Sequence, residues 1–370
     1  MSTNYKKLGD YITQRREKNT TINLPICGLC REGLIPPKQQ DADISLYNVF
    51  YKNDFIFNPA RMELNSITLN TEYDKAICSS LYEIFYINDT SKLLPEFLFV
   101  QLKTDNFVRF CEFQGQGSVR EYCRFANISE YPVIVPDLKE QEKIVNTYNA
   151  ITKRIQLKQK INENLEKTAQ CLFDELNISK KSFEEKTIAE ISNSVICGKT
   201  PSTAIKEYWG TDIPFITIPD MHGKNFISQT ERYLSQEGKS SQENQTLPPK
   251  SICVSCIATV GLVSITTTIS QTNQQINSII CKEGISPFYV FMTLKGMNEE
   301  LKRLGAGGST TLNISKSLFS SIKIAIPNKK EMDLFENEIS PIFDSILMNE
   351  KEISKLQELK QLVISRISGM

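Results

Sequence analysis

Histidine is almost missing from this chain: of 370 residues, only His222 carries an imidazole. Catalysis through a histidine base, and metal centres built on several imidazoles, are therefore not expected. Net charge is missing too, with 43 Lys plus Arg against 43 Asp plus Glu. A chain that binds nucleic acid alone often has an overall positive balance, so such a role would need local basic patches or a partner subunit. An uninterrupted membrane-length apolar run is also lacking. The most apolar stretch, "SICVSCIATVGLVSITTTI" (251–269), is rich in Ser, Thr and β-branched residues and is broken by Gly261. It predicts two buried strands and a turn. The opening "MSTNYKKLGDY" has two lysines but no apolar run behind them, so no signal peptide is expected, and a cytoplasmic, non-membrane protein is the default.

Motifs that carry a reaction are absent as well. There is no nucleophile elbow, HExxH or EF-hand loop. "CGKTPS" (197–202) imitates the end of a Walker loop, but Asn193 stands where the first glycine is required, and Pro201 stands where the helix should start. "EFQGQGSVREY" (112–122) resembles a phosphate-cradling turn, yet a helical pattern precedes its glycines where a dinucleotide fingerprint needs a strand. "FNPARM" (57–62) begins with the Asn-Pro of amino-methyltransferase motifs and lacks their aromatic partner. The chain reads as non-catalytic, with no cofactor.

Cysteine is plentiful, at ten residues, and without a secretion signal these predict reduced thiols. Two pairs have metal-type spacing, Cys27 with Cys30 and Cys253 with Cys256. The pairs are over two hundred residues apart, and alternation along a strand would send Cys253 and Cys256 to opposite faces. Buried, inert thiols are expected, and no metal site.

The chain repeats itself, and its length suits two domains better than one core. "LPEFLFVQLK" (94–103) aligns with "SPFYVFMTLK" (286–295) at an offset of 192. "GQGS" (115–118) aligns with "AGGS" (306–309), and "YPVIVP" (131–136) with "IKIAIP" (322–327), both at an offset of 191. Each unit is expected to end in a helix (95–113 and 287–303), the Gly turn, and a short strand (131–135 and 322–326).

After each closing proline the pattern changes to heptads. One stripe runs from Ile144 through Tyr148, Ile151, Ile155, Lys158, Asn162, Leu165, Ala169 and Leu172 to Leu176. The other runs from Phe335 through Ile339, Ile342, Ile346, Asn349, Ile353, Leu356, Lys360 and Val363 to Ile367, again at an offset of 191. Sustained a/d spacing of this kind predicts two coiled-coil helices, each roughly 60 Å long. Asp137-x-x-Glu140 and Asn328-x-x-Glu331 supply capping boxes at their starts. Both stripes carry a polar residue at one matching slot, Lys158 and Asn349. These either fix register or mark an exposed edge of the seam.

Two units, two matched helices and no catalytic motif give a chain that resembles the specificity subunit of type I restriction–modification systems. The sharpest local likeness is "GKTPSTAIKEYWGTDIPFITIPD" (198–220), similar to the opening of such a target-recognition domain. "NDFIFNPARMELNSI" (53–67) is similar to another common stretch, and "VPDLKEQEKIV" (135–145) to the Pro-x-x-x-x-Gln hinge of the first conserved helix. The second hinge, "IPNKKEMDLF" (326–335), departs from it because Met332 replaces Gln, and the first unit lacks the Thr-Pro-Ser opening.

The resemblance implies an α/β chain in which two globular α+β target-recognition domains, related by an internal pseudo-twofold repeat, are separated by two long antiparallel coiled-coil helices. Target-recognition domains are expected at 1–136 and 179–327, and conserved helices at 137–178 and 328–370. The implied function is sequence-specific binding of double-stranded DNA at a split, asymmetric target. Implied partners are two methylation subunits, which use S-adenosylmethionine, and restriction subunits. The alternatives are a specificity subunit of another methylation or restriction assembly, or a two-domain adaptor or scaffold.

Base readout needs forked polar side chains, and turns let the backbone approach phosphates. In the first unit the candidates are Asn58 and Arg61 in "NPARM", with Gln116, Ser118 and Arg120 around the Gly turn; a surface salt bridge is the alternative for Arg61. In the second they are Lys199, Thr200 and Thr203 beside Pro201, Lys224 after Gly223, Gln274, Gln275 and Asn277 in "QTNQQIN", and Ser309 and Thr310. Solvated loop polarity is the alternative for these.

Overall fold

The computed structural model describes residues 6–30, 33–37, 43–115, 122–178, 183–306 and 312–368. Two compact units emerge, Met1–Gln156 with Lys355–Met370, and Leu157–Ser354. Among the described residues, no helix is long and apolar enough to cross a membrane.

The first unit is built on a four-stranded antiparallel sheet in the order Ile12–Arg15, Glu83–Ile87, Phe55–Phe57, Ile67–Leu69. The second unit repeats that order with Ser192–Cys197, Ile276–Cys281, Ile252–Ser255 and Val263–Thr266, then adds Phe226–Ile227 in parallel. Each unit has a second sheet with one parallel pair, Ile26–Cys30 beside Lys75–Cys78 and Trp209–Ile216 beside Gln271–Thr272. Each also closes with a two-stranded ribbon, Lys6–Lys7 on Pro132–Val133 and Glu184–Thr187 on Lys323–Ile326.

Register makes the equivalence residue-specific. Phe57 pairs with Glu83 as Val254 pairs with Asn277, and Cys27 pairs with Cys78 as Ile216 pairs with Thr272. Burial follows the same alternation. Phe55 and Phe57 enter the main core of the first unit while Ile56 enters a smaller cluster. Ile252 and Val254 do the same in the second unit, with Cys253 on the other face.

The apolar run 251–269 forms the expected strands, and Gly261 between them has φ +94°, a left-handed conformation that favours glycine. The helices expected over 95–113 and 287–303 are each two helices instead, Pro95–Leu102 with Asp105–Gly115, and Pro287–Gly296 with Asn298–Gly305. In the first pair the break follows from Thr104, whose hydroxyl donates to the Gln101 carbonyl and accepts the Phe107 N–H, capping a new helix.

Both long helices form, Leu138–Ile178 and Lys329–Ser368. Asp137 Oδ1 accepts the Glu140 N–H at 2.9 Å and Asn328 Oδ1 accepts the Glu331 N–H at 3.1 Å, so both expected caps are made. Each unit holds one end of each helix, and the segments run antiparallel. In the first unit Ile144, Val145 and Tyr148 share a core with Ile364 and Ile367, and Lys360 lies over the Tyr148 ring. In the second, Lys158 meets Glu352, Asn162 meets Asn349, and Phe173 meets Phe335.

The hinge residues explain their own divergence. Gln141 is fully buried; its Oε1 accepts the Leu94 N–H, and its Nε2 donates to the carbonyls of Lys92 and Pro136. Leu94 begins the helix Pro95–Leu102 and has no capping side chain, so Gln141 does that work. In the second unit Ser286 caps the equivalent helix itself and donates to Glu336. The equivalent of Gln141 is then free to be apolar, and Met332 is buried in the core.

Candidate nucleic-acid interface

In the first unit, Asn58 Oδ1 accepts the Ala60 N–H at 3.1 Å and caps the short 3-10 segment Pro59–Leu64. Arg61 leaves helical geometry there (φ −140°, ψ 32°), and its side chain is exposed, with no carboxylate paired to it among the described residues. The Pro59 carbonyl accepts the Cys123 N–H at 3.0 Å, tying this loop to the chain just beyond the Gly turn. Beside it is the tight turn Ser79–Tyr82, where Ser79 takes the Leu81 N–H on its hydroxyl and the Tyr82 N–H on its carbonyl. Asn58, Arg61, Leu81, Tyr47, Tyr82 and Tyr122 line one open cleft of about 620 Å³. Burial pushes the Tyr82 phenol up, and the nearby Arg61 charge acts against that shift.

The second unit builds the same arrangement from different side chains. The Cys256 carbonyl accepts the Ile314 N–H at 2.9 Å, matching Pro59 and Cys123. Asn273 takes the Gln275 N–H on its side chain and the Ile276 N–H on its carbonyl, matching the Ser79 turn bond for bond. Thr200 Oγ1 donates to Gln274 Oε1 at 2.7 Å, and the Lys199 N–H donates to the Thr272 carbonyl at 2.9 Å. Gly198 makes this approach possible: a Cβ there would lie 2.2 Å from Thr272 Oγ1. Lys199 is exposed at this corner, and Thr203 is exposed further along the same loop.

Comparison with known proteins agrees with this doubled architecture. A family model for the type I restriction modification DNA specificity domain matches residues 37–167 and 180–362. The chain belongs to that family. It is 32% identical to the HindI specificity subunit of Haemophilus influenzae, over 81% of this chain and 82% of that one. It is 34% identical to the MjaIX specificity subunit of Methanocaldococcus jannaschii over 50% of this chain and 44% of that one. A crystal structure of a type I S subunit from M. genitalium shares the fold, with a TM-score of 0.67 at 14% identity over 99% of this chain and 96% of that one.

In this specificity-family chain the candidate residues fall into distinct places. Asn58 and Arg61 share a cleft, and Lys199, Thr200, Gln274 and Gln275 share a corner, while Thr203 is exposed in the loop that follows. Lys224 is not brought to them: it precedes the strand Phe226–Ile227, at the opposite edge of the five-stranded sheet from Ser192–Cys197. Asn277 is 2% exposed and donates to the Ile314 carbonyl, so it supports the corner from beneath. Gln116, Ser118, Arg120, Ser309 and Thr310 lie outside the described residues. Ser80, Leu81 and the cleft tyrosines carry no polar motif, and only strand register aligns their turn with the Gln274 turn.

The expectation of buried thiols holds for Cys27, Cys78, Cys111, Cys123, Cys253 and Cys256, whereas Cys171 is exposed and Cys30, Cys197 and Cys281 are half-buried. Cys253 and Cys256 face different clusters, and burial pushes their thiols up to about 12 and about 11. A thiol held protonated is a poor nucleophile and a poor ligand.

Proposed function

We propose that this chain is the DNA-reading specificity subunit of a type I restriction–modification complex, cytoplasmic and without a catalytic step or cofactor of its own. The observation that carries the reading is the paired corners. The loop at Asn58–Arg61 with the turn at Ser79–Tyr82, and the loop at Ser255–Ala258 with the turn at Asn273–Ile276, are one framework carrying different side chains. Two equivalent frameworks suit two half-sites, and different side chains suit different bases, which gives a split and asymmetric target.

Target-recognition domains at 1–136 and 179–327 would each read one half, and the helices at 137–178 and 328–370 would set the spacing and dock two methylation subunits. Restriction subunits would join that core. Arg61 suits guanine, Gln274 and Gln275 suit adenine, and Asn58, Lys199, Thr200 and Thr203 suit adjacent phosphates or base edges. Gln116, Ser118, Arg120, Ser309 and Thr310 are proposed for the same surfaces, and Lys224 for a backbone contact at its separate edge. With zero net charge, partner subunits would supply much of the phosphate contact.

The test is methylome sequencing of the host with and without this gene. One split, asymmetric methylated motif should vanish on deletion. An unchanged methylome would refute the assignment.

A further inference from the structure

The turn at Ser79–Tyr82 carries different chemistry from its counterpart at Asn273–Ile276 on the same backbone. Register places Cys78 opposite Cys27 and Glu83 opposite Phe57, as it places Thr272 opposite Ile216 and Asn277 opposite Val254. The turns between are equal in length and share both hydrogen bonds, Leu81 N–H to Ser79 Oγ and Tyr82 N–H to Ser79 O, against Gln275 N–H to Asn273 Oδ1 and Ile276 N–H to Asn273 O. Leu81 therefore occupies the position of Gln275, and Ser80 that of Gln274.

One unit presents two amides there; the other presents a hydroxyl and a leucine that is 76% exposed. The second turn is also fastened from behind, because the Cys256 N–H donates to the Gln275 carbonyl. Pro59, the equivalent of Cys256, has no N–H to give. Leu81 shares its cleft with the exposed Arg61 and with three tyrosines.

An exposed leucine makes no hydrogen bond, so it recognises only an apolar group. On a duplex the one apolar group exposed on a base edge of the major groove is the thymine C5-methyl. We propose that Leu81 is a specificity-determining residue of the first unit and reads a thymine methyl, at the position where the second unit reads with Gln275. The inference rests on the DNA-reading function proposed above.

The experiment uses the assembled complex with its methylation partners. Methylome sequencing of hosts carrying Leu81→Ala or Leu81→Gln should show relaxed or altered preference at one thymine of a single half-site, by roughly tenfold or more. The other half-site and the spacer should be unchanged. In parallel, deoxyuridine replaces thymine in turn at each thymine of the wild-type target. One such replacement should weaken binding about as much as Leu81→Ala does, and should have no further effect on that variant. Wild-type half-sites in both Leu81 variants would overturn the inference, as would indifference of the wild-type complex to every deoxyuridine. The deoxyuridine arm holds even where a variant fails to fold. A wild-type host lacking any split motif would instead overturn the DNA-reading function itself.

Discussion

Lys158 Nζ donates to Asn349 Oδ1 at 2.8 Å, and the two residues are 191 positions apart, the offset of the internal repeat. Each is therefore bonded to its own counterpart on the other long helix. Asn349 also donates to Asn162 Oδ1 at 2.7 Å, and Lys158 pairs with Glu352 at 2.8 Å. This polar set, half-buried or buried in a seam of leucine and isoleucine, is a register lock rather than an exposed edge. Any other register would bury the ammonium and the amides without partners.

Replacing Lys158, Asn162 and Asn349 together by isoleucine should raise the thermal midpoint by several degrees, because the desolvation cost of the ammonium and both amides disappears. The same change should let the helices slip and broaden the spacer accepted in the methylome. Lys158→Leu alone should destabilise, since Asn349 loses its donor. A triple variant with a lower midpoint than Lys158→Leu would contradict the lock.

Inserting one heptad into both long helices preserves the seam and lengthens it by roughly 10 Å. If the helices set the spacing, the accepted spacer should change while both half-site sequences stay as they were. Altered half-sites would count against the ruler.

Phe343 sits in a cage of rings: it stacks on Phe288 at 4.6 Å and meets Phe226 and Phe291 edge-on at 6.0 and 5.6 Å. Phe343→Ala should cost about 3–5 kcal/mol in denaturant unfolding. Exposed Leu362 on the same helix, changed to Ala, should cost well under 1 kcal/mol.

Glu350 gives a pH signal. Burial pushes its carboxyl up from 4.5 to about 7, and the neighbouring Glu166 adds to this; N–H groups of Asn225 and Phe226 and the Asn225 side chain oppose it. Lys295, bonded to Asn225 and 3.7 Å from Glu166, faces the same cluster. A carboxyl whose folded pKa lies above its unfolded value stabilises the fold fully below the unfolded value. That contribution is lost as pH rises through the folded one. Glu350 should therefore contribute on the order of 3 kcal/mol at pH 4, fading by pH 8. Glu350→Gln should flatten the stability profile between pH 5 and 8 in urea titrations. An unchanged slope would assign the pH dependence elsewhere.

Much of the fold is local and periodic, and so was legible in the chain. The heptads, the caps at Asp137 and Asn328, and the strand–turn–strand around Gly261 each follow from neighbours a few residues apart. Even so, local rules misjudge two places. Pro341 lies inside the second long helix, where propensity would end it, because Ile339 and Phe343 on either side are buried and hold the helix on course. The helices expected over 95–113 and 287–303 break in two.

The candidate site was legible only where chemistry is polar. Arg61, Gln274 and Gln275 stand out by type, whereas Leu81 looks like any core leucine until its turn is seen to carry it outward.

By itself, the sequence determined the duplication and the seam, because repeats and heptads are properties of order along the chain. Tertiary structure alone decided that Lys158 meets Asn349, that Asn277 lies beneath the corner and that Leu81 stands where Gln275 does. Those relations join residues far apart in the chain, through sheet register and helix packing that no local pattern encodes.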